Sequence, residues 1–424
     1  MTVANLYPDI NPSLLLDFAN VRALDPRITF TRASSASYYD NLGVLRTATN
    51  NQARFDHDPV SGESLGLLIE EQRTNLVLRS EEFDNAYWTK TNSSITVNTS
   101  VAPNSTLTAD KLVENTATGN HLFFVGSISS TATVFTASVY AKASERDRLR
   151  LQARNELSPS GGANADFNLT TQTVTIVNFG DGTGVGRIES VGNGWFRCSI
   201  TVTVVTAGTT LVFAVFLLNA AGVTNYTGDG TSGILLWGAQ LEAGDFVSSY
   251  VRTEASQATR LADTASITGT NFSSWYRPDE GTMYAETRWR TLYARNNSGI
   301  FRVDDGTNNN VVELGFRNIF PSAPGRIAMR VAGGTTAETT TGTVSTNDGL
   351  FHKFAGAYSS TGLSFSADNM IAGTTTTSIG TPVVNIARIG SSNTGVPTLY
   401  AIYIRKIAYY PQRLTNTQLQ ALTR

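Results

Sequence analysis

The stretch GNGWFRCSITVTV, residues 192–204, predicts a strand that follows a tight hairpin turn. From residue 195 onward, apolar and polar side chains alternate with a period of two, which is typical of a strand with one face in a core. The Gly-Asn-Gly turn favours a hairpin because both residue types adopt positive φ at low cost. One face of the strand carries Phe196, Cys198, Ile200, Val202 and Val204, and the other carries Trp195, Arg197, Ser199, Thr201 and Thr203.

The same alternation recurs at residues 134–142, 148–154 and 283–289, with turn residues between the runs. Short strands at such spacing are typical of sandwiches and jelly rolls. We therefore predict an all-β chain. Its parts are an N-terminal anchor segment (residues 1–79), a jelly roll (residues 80–260) and a second β-sandwich (residues 261–424). Thr415 caps a short helix at the end of the second sandwich, in a capping box with Gln418.

Composition and charge exclude several classes of protein. The 424 residues include 32 Lys and Arg against 34 Asp and Glu, so we expect no nucleic-acid partner. The longest apolar stretch, residues 210–223, is too short and too interrupted to insert into a membrane. Because Cys198 is the single cysteine and the three histidines lie far apart, no disulfide framework or metal site is expected.

One long segment resembles a sequence that recurs in bacteriophage tail-fibre and receptor-binding proteins. It comprises ARFDHDP (residues 53–59), GLLIEEQRTNL (residues 66–76) and SEEF (residues 80–83), followed by Trp88. From residue 75 to 252 the chain also looks like the carbohydrate-binding jelly rolls of such proteins, on NGWFR (residues 193–197) and WGAQLE (residues 237–242). The resemblance implies a virion protein that holds a host-surface glycan.

The last 160 residues or so resemble the concanavalin A-like, laminin G-type lectin sandwich. The resemblance is carried by DGLFH (residues 348–352), ARIG (residues 387–390) and IRKIAYY (residues 404–410). It implies a lectin-like second sandwich. One departure is that no tight acidic cluster stands where some lectin sandwiches bind calcium.

Sugar binding needs an exposed aromatic ring against the apolar face of a pyranose, with planar polar groups beside it. Trp195 is the first candidate because it shares the polar strand face with Arg197. Tyr140 and Tyr226 rank second, and Trp275 belongs to an aromatic-basic cluster in a predicted loop. The alternatives are that Trp195 packs beneath a loop or another subunit, and that Trp275 caps the second sandwich.

Catalysis and cofactors have little support in the sequence. GESLG (residues 62–66) matches the G-x-S-x-G elbow of serine hydrolases, but that elbow needs a strand before it and a helix after it. Here a turn precedes and an apolar strand-like run follows, so we predict no enzyme. Asp304, Asp305, Asn308 and Asn310 could supply oxygen ligands to calcium. Asx-rich turns commonly form without metal, and we expect no cofactor.

The predicted function is host-surface recognition by a phage tail fibre or related virion appendage. The expected partners are a host polysaccharide, other tail or baseplate proteins at the N-terminal segment, and two further copies in a homotrimer. A structural virion adaptor without glycan binding and a polysaccharide depolymerase remain as alternatives. The adaptor would bury the candidate aromatic rings, whereas the depolymerase would present two facing carboxylates in a cleft.

Overall fold

The computed structural model describes residues 6–157, 160–289, 299–316, 322–334, 336–345, 348–377, 380–391 and 401–424, without the side chains of 322–324 and 345. These residues are almost entirely β-structure, which confirms the predicted fold class. In the same residues, no helix is long and apolar enough to cross a membrane.

The bounds of the elements follow the chain in three groups. The N-terminal segment contributes β1 Leu14–Asp17, β2 Thr29–Thr31, β3 Ala36–Tyr39, β4 Leu45–Ala48, β5 Arg54–His57, β6 Ser64–Glu70 and β7 Arg73–Asn75. The middle of the chain contributes β8 Thr89–Thr91, β9 Ser93–Ser100, β10 Ala109–Glu114, β11 Thr118–Asn120, β12 Leu122–Ser129, β13 Val134–Lys142, β14 Arg148–Asn155, β15 Gly162–Asn168, β16 Thr173–Phe179, β17 Gly182–Ser190, β18 Trp195–Val204, β19 Thr210–Leu217, β20 Asn225–Thr227 and β21 Gly233–Ala243. The remainder contributes β22 Ala258–Arg260, β23 Thr264–Thr268, α1 Gly269–Ser273, β24 Glu280–Trp289, β25 Gly299–Asp304, β26 Val311–Phe316, β27 Ser322–Arg330, β28 Ala337–Ser345, β29 His352–Ser359, β30 Gly362–Ala367, β31 Gly373–Thr375, β32 Ile386–Ile389, β33 Ala401–Tyr410 and α2 Asn416–Leu422.

The jelly roll consists of two antiparallel sheets of six strands each. One, the covered sheet, has the order β17-β18-β13-β21-β10-β9, and the other, the open sheet, has the order β16-β15-β14-β19-β12-β8. Their facing sides enclose an apolar core that includes Val139, Cys198, Phe213 and Leu241. Cys198 is fully buried, and burial raises the pKa of its thiol, so it is a small core residue as its strand position predicts.

The second sandwich pairs an eight-stranded sheet with a seven-stranded one. The first has the order β31-β30-β29-β24-β33-β6-β5, with β1 also paired to β33. The second has the order β2-β23-β32-β25-β26-β27-β28. A single core of aliphatic and aromatic side chains fills the space between them.

The N-terminal segment packs against the rest of its own chain. Strands β1 and β6 pair with β33, β5 pairs with β6, and β2 pairs with β23, so four of its strands belong to the second sandwich. The β3-β4 hairpin lies against the jelly roll, where Ser37 donates a hydrogen bond to the carbonyl of Tyr250. Attachment of this segment to other virion proteins stays a prediction.

Two local predictions are confirmed at residue level. Asn193 and Gly194 have φ of 53° and 77° in the turn between β17 and β18, as the Gly-Asn-Gly signal indicates. Thr415 and Gln418 form the complete capping box at the start of α2.

Candidate functional site

Trp195, Arg197 and Tyr140 lie on the outer face of the covered sheet, away from the jelly-roll core, as the alternation predicts. The expectation that this face is exposed is wrong. Trp195 is 2%, Arg197 3% and Tyr140 0% exposed. The reason is that the N-terminal segment, the loop after β9 and the chain after β21 pack over this face.

The contacts that cover these residues come from distant parts of the chain. The Trp195 indole donates to the carbonyl of Val101 at 3.0 Å, and Arg197 donates to the carbonyl of Ser248 at 2.7 Å. The Arg197 guanidinium also lies 5.2 Å from the centre of the Tyr140 ring. These groups therefore build an interface between chain segments and offer no surface to a sugar.

Tyr226 is also largely buried, at 9% exposure. Its hydroxyl donates to Glu114 at 2.6 Å, and its ring packs 4.6 Å from the ring of His121. Burial alone would raise the pKa of Glu114, but hydrogen bonds from Arg146 and Tyr226 hold it below its ordinary value. Tyr226 is thus one member of a charge-assisted network, which corrects its assignment as an exposed ring.

Trp275 is 4% exposed and belongs to the core of the second sandwich. Its ring makes edge contacts with Phe272 and Tyr409, at centroid distances of 5.1 and 5.0 Å. The capping alternative therefore describes this position, and the ligand-binding expectation for Trp275 does not fit its burial.

The residues considered for calcium use their oxygens within the protein. Asp304 accepts from Arg302 and Arg388 at 2.7 and 2.8 Å, and Asp305 accepts from Asn310 at 2.8 Å. Asn308 accepts from Arg302. Among the residues that the structure describes, no group of three His, Cys, Asp or Glu side chains could hold a metal ion.

Ser64 does not stand in a nucleophile elbow. It is the first residue of β6, so a strand follows it where the elbow requires a helix. The prediction of a loop that enters a strand is confirmed at this position, while enzymatic activity itself stays a separate question.

A different surface combines rings with planar polar groups: the outer face of the open sheet. Strand register aligns its side chains in two rows. The first row crosses the sheet as Thr91, Leu122, Phe216, Arg150, Asp166 and Thr175. The second row, two residues along each strand, is Thr89, Phe124, Ala214, Gln152, Asn164 and Val177. Of the eight residues between the ends of these rows, Leu122 and Ala214 are buried. We call the other six the open face: Phe124, Phe216, Arg150, Gln152, Asn164 and Asp166.

The open face differs from the covered one in its accessibility. All six of its side chains are half-buried, and Val177 at its edge is 48% exposed. In the covered sheet, by contrast, Gln240 and Glu242 are both 0% exposed. The jelly roll therefore presents one of its two outer faces to solvent.

The polar groups of the open face are fixed to one another and still have hydrogen-bonding capacity. Arg150 makes a bidentate pair with Asp166, at 2.6 and 2.9 Å, which orients the guanidinium plane. The Gln152 amide donates to the Asn164 side-chain oxygen at 2.9 Å. That bond uses one donor and one acceptor, so the Gln152 oxygen and the Asn164 NH₂ group remain for a ligand.

The side chain of Ala214 is the smallest in the two rows, and it is 2% exposed between larger neighbours. It stands between Phe124 and Gln152 in the second row, while Phe216 is in the neighbouring position of the first row. Because neighbouring strands lie about 4.8 Å apart, Phe124 and Gln152 stand roughly 10 Å apart across it. A sugar that spans this distance would contact both side chains.

Part of this site could be predicted from the sequence. The alternation at residues 148–154 predicts Arg150 and Gln152 on an outward face, and the structure bears this out. Phe124 and Phe216 were missed, because Phe216 lies in a run that is apolar on both faces. Only the pairing of β19 with β12 and β14 brings these residues together.

No family model and no curated protein matches the chain. Solved structures that resemble it include the CBM40 module of a Ruminococcus gnavus sialidase bound to α2,6-sialyllactose, at 14% identity and a TM-score of 0.31, over 36% of this chain and 88% of that one. Domains LG4-5 of the mouse laminin α1 chain match at 9% identity with a TM-score of 0.26, over 72% of this chain and 89% of that one. Trypanosoma rangeli sialidase in complex with an inhibitor matches at 9% identity with a TM-score of 0.26, over 74% of this chain and 60% of that one. Scores this low carry no information on ligand or activity.

Proposed function

We propose that the open face binds a saccharide and that the chain is a receptor-binding component of a bacteriophage appendage such as a tail fibre. The observation that carries the first part is the pair of cross-strand rows, which sets Phe124 and Phe216 beside Arg150, Gln152 and Asn164. The second part is supported by the resemblance of residues 53–88 to a tail-fibre segment.

The proposed mode of binding follows from the chemistry of the face. A pyranose ring lies over Ala214 with its C–H face against the Phe216 ring, while its hydroxyls bond to the Gln152 oxygen and the Asn164 NH₂ group. Arg150 adds a donor from the end of its guanidinium that does not bond to Asp166. Such groups fix the orientation of a sugar, and the ring supplies apolar contact area.

We propose binding without cleavage. Asp166 is the carboxylate within the open face, and both of its oxygens accept hydrogen bonds from Arg150. Glycoside hydrolysis commonly uses two carboxyl groups on opposite sides of the scissile bond, one of which must carry a proton. Within the open face Asp166 has no second carboxylate opposite it, and both of its oxygens are already engaged by Arg150, which supports a binding role over a depolymerase.

Attachment to a host surface would combine several such sites. A shallow single site binds weakly, but linked sites raise apparent affinity by roughly 100-fold or more when they bind together. We therefore propose a homotrimer in the virion, joined to tail or baseplate proteins through the N-terminal segment. The second candidate is a structural adaptor, favoured by the burial of Trp195, Tyr140 and Trp275, which then serve packing alone.

The test is a glycan array followed by calorimetry on the full chain. We expect wild type to bind a defined set of glycans, and Ala214→Arg, which places a large charged side chain between Phe124 and Gln152, to abolish binding. Thr203→Ala, an exposed strand residue on the covered sheet, is the matched control and should bind as wild type does.

Two outcomes would contradict the proposal. Absence of binding by folded wild type favours the adaptor, whereas shortened oligosaccharides after incubation favour the depolymerase. Light scattering that shows a monomer at micromolar concentration would overturn the trimer alone.

A further inference from the structure

A second concave surface lies in the N-terminal segment, away from the open sheet. It is a groove of about 440 Å³ beside the β3-β4 hairpin and β5, a size typical of small-molecule sites. We call it the N-terminal groove, and the side chains that matter in it are Arg22, Tyr38, Asn41, Gln52, Phe55 and His57.

His57 is the unusual member of this groove, because it is 4% exposed and half of its hydrogen-bonding capacity is unused. Its Nδ1 lies 3.1 Å from the carbonyl oxygen of Tyr39. A carbonyl oxygen only accepts, so Nδ1 carries the proton, and the neutral ring has its lone pair on Nε2. This Nε2 is buried, and among the residues that the structure describes it has no hydrogen-bond partner. A buried polar atom without a partner destabilises the protein unless something bonds to it.

The walls of the groove supply the complementary groups. Tyr38 and Phe55 are half-buried and present aromatic surface. The Gln52 side-chain oxygen accepts from the backbone of Thr49 at 2.9 Å, so its NH₂ group remains for a ligand. The Asn41 side chain is exposed at the rim.

Charge within the groove is largely neutralised. Asp40 accepts from the backbone of Leu42 and Val44 and pairs with Arg46 at 2.7 Å. Arg22 is exposed at the rim. A lone pair on the buried histidine does not favour a carboxylate or phosphate oxygen, because both sides would be acceptors. The groove therefore suits a neutral ligand that has hydroxyl donors and an apolar face.

We propose that the N-terminal groove binds one neutral saccharide unit, with a ligand hydroxyl donating to His57 Nε2 and a ligand oxygen accepting from Gln52. The rings of Tyr38 and Phe55 contact the apolar face of the sugar. This site is independent of the open face, so the chain has two places for carbohydrate on different parts of its surface.

Histidine NMR tests the proposal directly, because the chain has only three histidines. Full-length protein with labelled imidazoles is titrated with glucose, galactose, mannose, N-acetylglucosamine and N-acetylgalactosamine. We expect at least one sugar to shift the His57 Nε2 signal while the His121 and His352 signals stay in place. The Ala214→Arg variant should give the same shift, which separates this site from the open face.

Gln52→Glu is the first variant, since it retains the acceptor for Thr49 and replaces only the donor. It should weaken binding at least fivefold, whereas Gln72→Glu, at another exposed glutamine, should not. His57→Phe lacks the reporter signal, so its loss of sugar binding is measured by calorimetry in the Ala214→Arg background, and Gln52→Glu keeps the test valid if His57→Phe does not fold.

A His57 signal that no sugar moves at millimolar concentration overturns the proposal, even where the array shows binding by the open face. An equal shift with glycerol overturns it as well, because any small polyol would then suffice. A shift that disappears in Ala214→Arg would assign the effect to the open face and also contradict a separate site.

Discussion

Arg54 donates a 2.5 Å hydrogen bond to Asp263, and both side chains are 0% exposed although 209 positions separate them in the chain. Arg54 also pairs with Glu70 at 2.7 Å, while Arg32 and Arg260 approach the same two acids. Opposite charges raise the pKa of Arg54 even though burial opposes its charged form. The cluster joins the N-terminal segment to the strands that follow the jelly roll.

Replacement of Arg54 by Met should destabilise the protein by about 3–5 kcal/mol, since it leaves two buried carboxylates without their main partner. Urea unfolding measures the loss. Arg46→Met, which breaks the partly exposed pair with Asp40, is the matched control and should cost no more than about 1 kcal/mol. Equal losses in the two variants would contradict the role assigned to the buried cluster.

We expect Trp195 to contribute mainly to stability and Phe216 mainly to sugar binding. Trp195→Ala removes a buried ring and should cost about 3–5 kcal/mol of stability, while the remaining folded protein binds sugar normally. Phe216→Ala should cost less stability but weaken sugar binding about tenfold, the value of one aromatic contact. Calorimetry and urea unfolding on both variants check this. Selective loss of sugar binding in Trp195→Ala would restore the covered sheet as the binding surface.

His352 should make stability depend on pH. Burial lowers its pKa, but hydrogen bonds to Asp368 at 2.7 Å and Asp348 at 3.1 Å outweigh this, so the pKa is raised above 6.5. The stabilisation is therefore complete below the unfolded pKa and is lost as pH rises through the folded pKa. Because both aspartates are about a third exposed, the effect should stay below about 1 kcal/mol.

Urea midpoints between pH 5.5 and 8.5 test the His352 prediction. Wild type should lose stability across the upper part of this range relative to His352→Gln, whose amide does not titrate. Parallel curves for the two proteins would show that this cluster contributes nothing to the pH dependence.

Gly238 should tolerate no side chain. It has φ of +64° in a β-bulge of β21, and a Cβ there would lie 2.9 Å from the Tyr140 ring. Gly269 has a similar φ of +60° but open space around it, so a comparison of the two glycines separates backbone strain from the steric clash. Gly269→Ala should cost about 1–2 kcal/mol for backbone strain, and Gly238→Ala about 1–3 kcal/mol more for the clash. Similar unfolding midpoints would contradict the close approach to Tyr140.

The same bulge shows where sequence reasoning fails. Alternation alone puts Trp237 on one face with Ala239 and Leu241. The extra residue in the bulge reverses the faces, so Trp237 packs with Tyr140 on the outer face of the covered sheet while Ala239 and Leu241 remain in the core. Period-two alternation identifies strands well, and the capping-box residues identify the start of the C-terminal helix, since both signals depend on nearby residues.

What could not be predicted depends on contacts between distant segments. The outward directions of Trp195 and Arg197 follow from their strand. Their burial depends on contacts with Val101 and Ser248, respectively, which no local pattern links to them. The open face likewise needs the register of β12, β19, β14 and β15. Residue types at a site can be inferred from sequence, whereas their juxtaposition requires the sheet order.

The position of β33 has a consequence for biosynthesis. This strand pairs with β1, β6 and β24, so the eight-stranded sheet places it between strands made at the start of translation and others made much later. The jelly roll can close while the ribosome is still working, because its two sheets use only β8 to β21. Strands β1 and β6 must wait with unsatisfied backbone edges until β33 emerges, which makes this interval the one in which a nascent chain most needs protection from aggregation.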